Sequence, residues 1–363
     1  MLWVLFLLSV LIAYVVTKVS ITFSLRRGVL DMPNLRSSHS QPVPRLGGIG
    51  ILVALVLSLA ALGLMRRLAW VGYPVFTRDA SLMVLAGTGM AATGLYDDFH
   101  GMRPATKFLV QSVFAGIVVA LGMRIESVAV LNWGPFALGV LAFPLTILWL
   151  TGFANIFNFM DGINGLAAVT GAAYSGFFFV FAWLQGTPEL AATAVVVTGS
   201  CLGFLPHNLP RARTFMGDTG SLLLGIVLAL LVVRLAQKSP NPASLIGLLL
   251  VCSVYLWDSG FTLLRRLRRG ENIFQAHRSH LYQRLAQLGL SHASITGLYL
   301  LLHLLMGGLG LGYVRWANAM RAVILVFAGL TLMGFTMSVY WLERRAARAK
   351  LEAGGTILRS MHD

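Results

Sequence analysis

Long apolar runs separated by short polar segments dominate the chain. A helix needs about 20 mostly apolar residues to cross the hydrocarbon core of a membrane. The pattern predicts eleven such helices, at residues 2–22, 47–65, 80–96, 106–123, 136–154, 164–184, 188–205, 220–236, 243–263, 295–314 and 320–342. We therefore expect an all-α membrane protein, a polytopic bundle of ten or eleven transmembrane helices.

Three shorter segments predict structure outside the bundle. Ile125–Leu131 is too short to span and is typical of a strand or hairpin, whereas Leu281–Leu290 is amphipathic and predicts a helix along the membrane interface. Trp341–Leu358 is basic and amphipathic, as a surface helix would be. We divide the chain into one transmembrane catalytic domain, 1–342, and a cytoplasmic C-terminal tail, 343–363.

Composition agrees with a membrane protein. The chain is 57% hydrophobic and 11% charged, with a mean hydropathy of +0.78, against about 25% charged residues in soluble domains. The formal net charge of +15 is explained by anionic lipid headgroups at the cytoplasmic surface, so we expect contact with membrane lipid and no nucleic acid. Cys201 and Cys252 lie in apolar runs and indicate buried thiols, with no disulfide or metal framework.

The distribution of basic residues sets the orientation. Eleven spans place the termini on opposite sides, and Lys and Arg favour the cytoplasm. With the 24–46 loop inside, nineteen Lys and Arg lie inside and eight outside, leaving Lys18 uncounted within the first span. The N-terminus is then outside. The candidate polar residues all fall at inside loops or helix ends, whereas the outside loops hold only three acids, Asp79, Glu126 and Glu189. We predict one cytoplasmic site.

The first candidate motif is the acidic pair Asp97-Asp98 at the inside end of the third span. Adjacent carboxylates repel unless a cation or a proton is shared, so the pair favours a divalent cation or phosphate chemistry. A solvated pair at a helix end is the structural alternative. Lys107, ten residues after Asp97, could meet a phosphate or simply extend to the membrane surface.

The second motif repeats a polar residue every three positions, at Asn155, Asn158, Asp161 and Asn164. Glycines at 162 and 165 indicate that the helix breaks here, which would place these side chains in a loop beside a helix start. Helix capping would explain one of them, but not four.

The third motif runs from Pro206 to Ser221 and contains Asn208, Phe215 and Asp218. Asp218 alone would be an ordinary helix cap. The flanking glycines and two arginines, Arg211 and Arg213, make a polar turn suited to a metal and a diphosphate.

The fourth motif is His277-Arg278-Ser279-His280, which follows an arginine cluster at 265–269 typical of a cytoplasmic anchor. Two imidazoles and a guanidinium can hold phosphate oxygens. A zinc site is disfavoured, because no third ligand lies nearby in sequence.

Together these motifs resemble the polyprenyl-phosphate N-acetylhexosamine-1-phosphate transferase superfamily over about residues 30–285. The resemblance also covers the segment from Asp31 to His39 and the Pro44-Arg-Leu-Gly47-Gly48 turn. The sequence from His277 to Arg284 looks most like that of the bacterial branch that initiates O-antigen synthesis. The chain departs from the family pattern at three positions: Gly101 stands at the third carboxylate of the acidic motif, Asn164 at a frequent Asp, and Ser279 at a usual His.

The resemblance implies roles for these residues. Asp218, with Asn158, would hold Mg²⁺, with Mn²⁺ as an alternative ion. Asp97 or Asp98 would orient or deprotonate the lipid phosphate. Lys107 and Arg278 would grip phosphates, and Asn164, Asn208 and Phe215 would surround the uracil. The remaining candidates are Asp161 and His277 in catalysis, and Asn155 and His280 in substrate binding.

The resemblance implies transfer of N-acetylhexosamine-1-phosphate from a UDP-sugar to undecaprenyl phosphate, with release of UMP. This would be the first membrane step in the synthesis of an envelope glycan such as O-antigen, and it would take place at the bacterial inner membrane. The resemblance also makes a homodimer the expected partner state. The alternative is a non-catalytic polyprenyl-lipid transporter or binding protein. Transporter sites lie near the membrane midplane, where this chain has almost no ionisable residue, Asp258 being the nearest exception.

Overall fold

The computed structural model describes residues 1–33, 41–68, 78–131, 133–272 and 277–360. These ranges are mostly helical. The helices are α1 (Leu2–Arg27), α2 (Gly48–Arg67), α3 (Arg78–His100), α4 (Pro104–Ala120), α5 (Ala142–Phe159), α6 (Leu166–Leu184), α7 (Pro188–Phe204), α8 (Gly217–Lys238), α9 (Ser244–Arg268), α10 (Leu281–Gln287), α11 (His292–Arg315) and α12 (Asn318–Ser360). The all-α class is confirmed.

Each of the eleven predicted spans coincides with a helix, α1 to α9, α11 or α12. Within the described ranges, nine of these helices are long and apolar enough to cross a membrane. The other two are α3, which carries acids at both ends and many Gly, Ala and Thr residues between them, and α4, which has only 17 residues. The structure therefore supports a multi-pass membrane protein without fixing the number of spans at eleven.

The short predicted segments form hairpins and a helix. Residues 125–131 contribute strand β3 (Ser127–Val130), which pairs antiparallel with β4 (Trp133–Ala137), as expected. A second hairpin pairs β1 (Leu30–Asp31) with β2 (Val43–Pro44). The predicted helix at 281–290 is the shorter α10. Helix α12 runs unbroken past residue 342, so the tail begins inside a helix.

Helix α8 lies at the centre of the bundle and packs against α2, α3, α5, α6 and α9. The most apolar 18 residues of α8 are 89% buried, against 28% for α1, because α8 is surrounded by other helices whereas α1 packs mainly against α2 and α7. Since α8 begins at Gly217-Asp218, the third motif lies in the middle of one end of the bundle, which we call the site end.

A close approach between α3 and α8 fixes the geometry at the site end. A Cβ on Gly94 would lie 2.3 Å from the carbonyl carbon of Asp218, so only glycine allows the two backbones this contact. One turn after Gly94, Asp98 consequently reaches the first amides of α8.

The other end of the bundle holds a separate ion cluster, which we call the opposite-end cluster. It consists of Asp79 on α3, Glu189 on α7, and Arg234 and Lys238 on α8. Arg234 contacts Asp79, and Lys238 contacts Glu189 and lies 3.5 Å from Asp79. Two of the three acids predicted to lie outside, Asp79 and Glu189, are therefore at the end opposite the candidate motifs.

Candidate active site

Asp98 anchors the N-terminus of α8. Its carboxylate accepts hydrogen bonds from the backbone amides of Asp218 at 3.1 Å and Thr219 at 3.0 Å, and from the Thr219 hydroxyl at 2.7 Å. Arg45 donates to it at 2.8 and 3.2 Å. The side chain is fully buried. Because the free N–H groups of a helix start favour negative charge, Asp98 is positioned to hold Asp218 in place.

Lys107 joins the first and third motifs. Its ammonium lies 2.9 Å from Asp97 Oδ2 and also contacts Asp218 Oδ2. Asp97 additionally accepts from the amide of Met102 just beyond α3. The sequence allowed Lys107 to be an ordinary surface lysine, but its side chain is only 14% exposed and lies between two carboxylates.

The second motif supplies the amides around Asp218. Asn158 Nδ2 donates to Asp218 Oδ1 at 2.9 Å and to the Ser221 hydroxyl at 2.8 Å. One turn earlier, Asn155 donates to Gln111 at 2.6 Å and to the carbonyl of Thr151. Asn158 is therefore in direct contact with Asp218, whereas Asn155 ties α5 to α4.

Asp161 differs from the other acids of the site end. It lies in the loop between α5 and α6, and its carboxylate accepts no hydrogen bond from the residues that the structure describes. Burial, together with the negative charges of Asp218 and Asp98, raises the pKa of Asp161 to about 7. This carboxyl group is consequently poised to gain or lose a proton near neutral pH.

The three residues predicted around the uracil lie close together, but each makes different hydrogen bonds. Asn208 is buried; its Oδ1 accepts from the Gly165 amide and its Nδ2 donates to the Thr214 carbonyl at 2.9 Å. Asn164 donates to the Pro210 carbonyl at 3.2 Å. Phe215 is half-buried, and its backbone pairs with Pro44 and Gly47. Asn208 thus connects two loops, and the role of all three in base recognition stays a prediction.

The fourth motif is divided between a half-buried and a buried part. His277 and Arg278 are half-buried, and His277 Nδ1 pairs with the Ser279 hydroxyl at 2.9 Å. Burial, followed by the charges of His280 and nearby arginines, lowers the pKa of His277 to about 4, so at neutral pH its ring is neutral. His280 is buried, and its Nδ1 lies 3.3 Å from Asp258 Oδ1. His280 therefore faces the protein interior.

The contacts of four residues were missed by the sequence analysis. Arg45 belonged to a recognised motif, but nothing in its spacing indicated Asp98 as its partner. Arg265 and Arg266, interpreted as a surface anchor, donate at 2.6 Å to the carbonyls of Ser279 and Asn272 respectively. Asp258 carried the only usable signal, since an ionisable residue within an apolar span is typically functional.

The donor set at Asp97 and Asp218 fits Mg²⁺. Within the described residues, no three His, Cys, Asp or Glu side chains form a ready metal cage. Mg²⁺ commonly binds one or two carboxylates and completes its shell with water and substrate phosphates. Asp97 and Asp218, which both contact the Lys107 ammonium, could supply these two carboxylates. Asn158 presents its amide nitrogen to Asp218, so it would act as a ligand only with the amide turned over.

The site end and the bundle together define a polytopic membrane protein whose acidic and amide side chains converge at one end of the bundle. Comparison with known proteins assigns the family. Residues 80–236 match the model of glycosyl transferase family 4. The chain belongs to this family, the polyprenyl-phosphate N-acetylhexosamine-1-phosphate transferases, and is a membrane-bound transferase by that membership.

Three relatives illustrate the similarity. A probable undecaprenyl-phosphate N-acetylglucosaminyl 1-phosphate transferase of Bacillus subtilis is 31% identical over 82% of this chain and 80% of its own length. A decaprenyl-phosphate N-acetylglucosaminephosphotransferase of Mycolicibacterium smegmatis is 33% identical over 84% and 80%. A phospho-N-acetylmuramoyl-pentapeptide-transferase of Enterococcus faecalis is 32% identical over 61% and 71%.

Proposed function

We propose that the protein transfers an N-acetylhexosamine-1-phosphate from a UDP-sugar to undecaprenyl phosphate, releasing UMP. The observation that carries this proposal is the convergence of three residues on Asp218: Lys107, which also pairs with Asp97, Asn158 at the side chain, and Asp98 at the backbone amide. The names of the two N-acetylglucosamine relatives support the same donor sugar. The muramoyl relative supports the reaction type but carries a different sugar, so the sugar and the pathway remain to be tested, O-antigen being the candidate.

The proposed reaction requires neutralisation of negative charge more than covalent catalysis by the protein. The lipid phosphate must approach a diphosphate of like charge, so alignment and electrostatic stabilisation account for most of the catalysis. Mg²⁺ at Asp97 and Asp218 would neutralise phosphate oxygens and stabilise the departing UMP. Lys107 is held at the same carboxylates by hydrogen bonds and adds a fixed positive charge.

Direct attack by the lipid phosphate is favoured over a phospho-enzyme on Asp98. A nucleophilic carboxylate needs a free oxygen, but both oxygens of Asp98 accept hydrogen bonds and the side chain is fully buried. Asp161 has a carboxylate without donors among the described residues and a pKa of about 7. We therefore assign proton acceptance from the lipid phosphate to Asp161, with Asp97 in the orienting role.

The apolar surface beside these residues suits a polyprenyl chain. Phe108 follows Lys107 and is 50% exposed, and Phe159 lies two residues before Asp161 and is 57% exposed. An isoprenoid tail can pack on these exposed side chains while its phosphate stays at the headgroup level. In the proposed orientation the protein lies in the bacterial inner membrane with its site end facing the cytoplasm, where the UDP-sugar is found.

The test is UMP release by the purified protein in lipid nanodiscs, with undecaprenyl phosphate, Mg²⁺ and a panel of UDP-sugars. We expect UMP and a polyprenyl-diphosphate-sugar in equal amounts with one donor, and neither without the lipid. Binding of undecaprenyl phosphate with no UMP release from any donor would favour the non-catalytic alternative. Exchange of labelled UMP into the UDP-sugar in the absence of lipid would instead indicate a phospho-enzyme.

A further inference from the structure

Asp258 is a buried acid within α9, and from the sequence it is the one ionisable residue predicted to lie nearest the membrane midplane. Its carboxylate accepts a hydrogen bond from the Tyr299 hydroxyl at 2.6 Å and lies 3.3 Å from His280 Nδ1. It also accepts from the backbone amides of Leu281 at 2.9 Å and Tyr282 at 3.4 Å. An ionisable side chain in an apolar span is costly, so this number of partners indicates a specific task.

The task concerns α10, which begins at these two amides. The first N–H groups of a helix have no partner within it, and a helix of seven residues is not stable alone. Asp258 supplies those partners from a different helix. At the far side of α10, Arg284 pairs with Glu343 of α12 at 2.6 Å. Helix α10 is thus held between α9 and α12, with Asp258 at the end that carries the histidines.

Two further residues of α9 continue the same contact. Arg265, two turns after Asp258, donates to the carbonyl of Ser279 at 2.6 Å. The Thr262 hydroxyl lies between them, 3.3 Å from Asp258 Oδ1 and 3.5 Å from the same carbonyl. Positions four and seven residues apart share one face of a helix. One face of α9 therefore holds the segment from Ser279 to Tyr282, and His277 is tied to this segment through the Ser279 hydroxyl.

This segment also reaches the loop that carries Asp161. The Tyr282 hydroxyl donates to the Phe159 carbonyl at 2.9 Å. A Cβ on Gly162 would lie only 2.1 Å from that hydroxyl oxygen, so the absence of a side chain at Gly162 makes room for Tyr282. A displacement of α10 would be felt at Asp161 as well as at His277.

We propose that Asp258 is a positioning residue for nucleotide-sugar binding: it docks α10 so that His277 and Arg278 face the diphosphate and the Asp161 loop keeps its place. This inference rests on the proposed function. Asp258 itself touches no substrate. Its loss should weaken donor binding more than lipid binding, because the docked segment carries the candidate phosphate-binding side chains.

The first test is hydrogen exchange in nanodiscs, followed by mass spectrometry of peptides covering 277–290. Asp258→Ala should speed exchange of the first α10 amides by about tenfold or more, since hydrogen bonds to a charged acceptor are lost. Asp258→Asn should speed this exchange less than Asp258→Ala does, and Tyr299→Phe should speed it least. These two variants replace Asp258→Ala in the test if the alanine variant does not fold. Asp79→Asn is the matched control, because it neutralises an acid at the opposite end.

The second test is steady-state kinetics with both substrates. Asp258→Asn should raise the KM for the UDP-sugar about tenfold while the KM for undecaprenyl phosphate stays within about twofold. Equal exchange in the Asp258 variants and the Asp79→Asn control, or an equal change in both KM values, would overturn the inference. If the wild-type protein releases no UMP, the proposed function fails, yet the exchange measurement still decides whether Asp258 docks α10.

Discussion

The two ends of the bundle use similar side chains for different purposes. At the opposite-end cluster, two acids face two bases, with side-chain exposures of 11 to 27%. At the site end, the four carboxylates of Asp97, Asp98, Asp161 and Asp218 face Lys107 and Arg45, with exposures of 14 to 21% for the Lys107 contacts. Burial is therefore alike, and the balance of charge differs.

This difference teaches how to distinguish a structural cluster from a binding site. A balanced set of buried ions satisfies itself and needs no ligand. A set with surplus carboxylates needs a cation or protons. The pKa of Asp161 is raised first by burial and then by the negative charges of Asp218 and Asp98, and this second cause reflects the surplus. We interpret the site end as incomplete without a divalent ion and the opposite-end cluster as complete.

The largest effect is expected for Asp218→Asn. This change keeps the shape of the side chain but removes the charge between Lys107 and Asn158. UMP release should fall by about a thousandfold, because the favoured cation site is lost, while the melting temperature changes little. Full turnover in a folded Asp218→Asn protein would remove the basis for treating the two ends differently.

Asp98→Asn should combine both kinds of effect. Asp98 accepts hydrogen bonds from Asp218, Thr219 and Arg45, and an amide can replace only part of them. We expect about a hundredfold loss of kcat together with about 2 kcal/mol of lost stability, measured by turnover and by denaturation in detergent. Lost stability with normal kcat would make Asp98 purely structural.

Activity should depend on pH through Asp161. Its pKa of about 7 means that the carboxylate form is present above that pH and is lost below it. If Asp161 accepts the proton, kcat/KM should fall about tenfold per pH unit below 7 and level off above it. The same acidic limb should appear in Asp79→Asn, which leaves the site end intact. A profile flat between pH 5 and 8 would refute this role.

The smallest effect on activity is expected for Asp79→Asn. Arg234 would lose its partner, although Lys238 would keep Glu189. Breaking one pair in a partly buried cluster should cost about 3 kcal/mol of stability, seen as a lower melting temperature. The kcat should stay within about twofold of the wild type. A large fall in kcat at an unchanged melting temperature would show that this end also has a catalytic role.

Much of this architecture could be predicted from the sequence, because a membrane imposes length and apolarity on each helix separately. The hairpin near Ile125 and the helix after His280 followed from segments too short or too amphipathic to span. Helices α3 and α4 were harder, since their composition lies at the margin for a span. A helix was predicted at 341–358 and is present, but its continuity with the last span in a single helix α12 was missed, because nothing at residue 342 stops a helix.

The contacts of the candidate site could be predicted only in part. Grouping of polar residues at one membrane face indicated which side chains meet, and Asp97, Asn158, Lys107 and Asp218 do meet. The partners of Asp98 and Asp258 could not be predicted, because nothing in the sequence indicated which element would pack beside each of them. Periodicity says which face of a helix is polar, but not which helix lies opposite.

The most direct test of the central claim is a count of bound Mn²⁺ by electron paramagnetic resonance on the purified protein, with Mn²⁺ standing in for Mg²⁺. We predict one ion per wild-type chain, displaced by excess Mg²⁺, retained in Asp79→Asn and lost in Asp218→Asn. Equal binding by all three proteins, or no binding by the wild type with UDP-sugar present, would contradict the assignment of a divalent-ion site to Asp97 and Asp218.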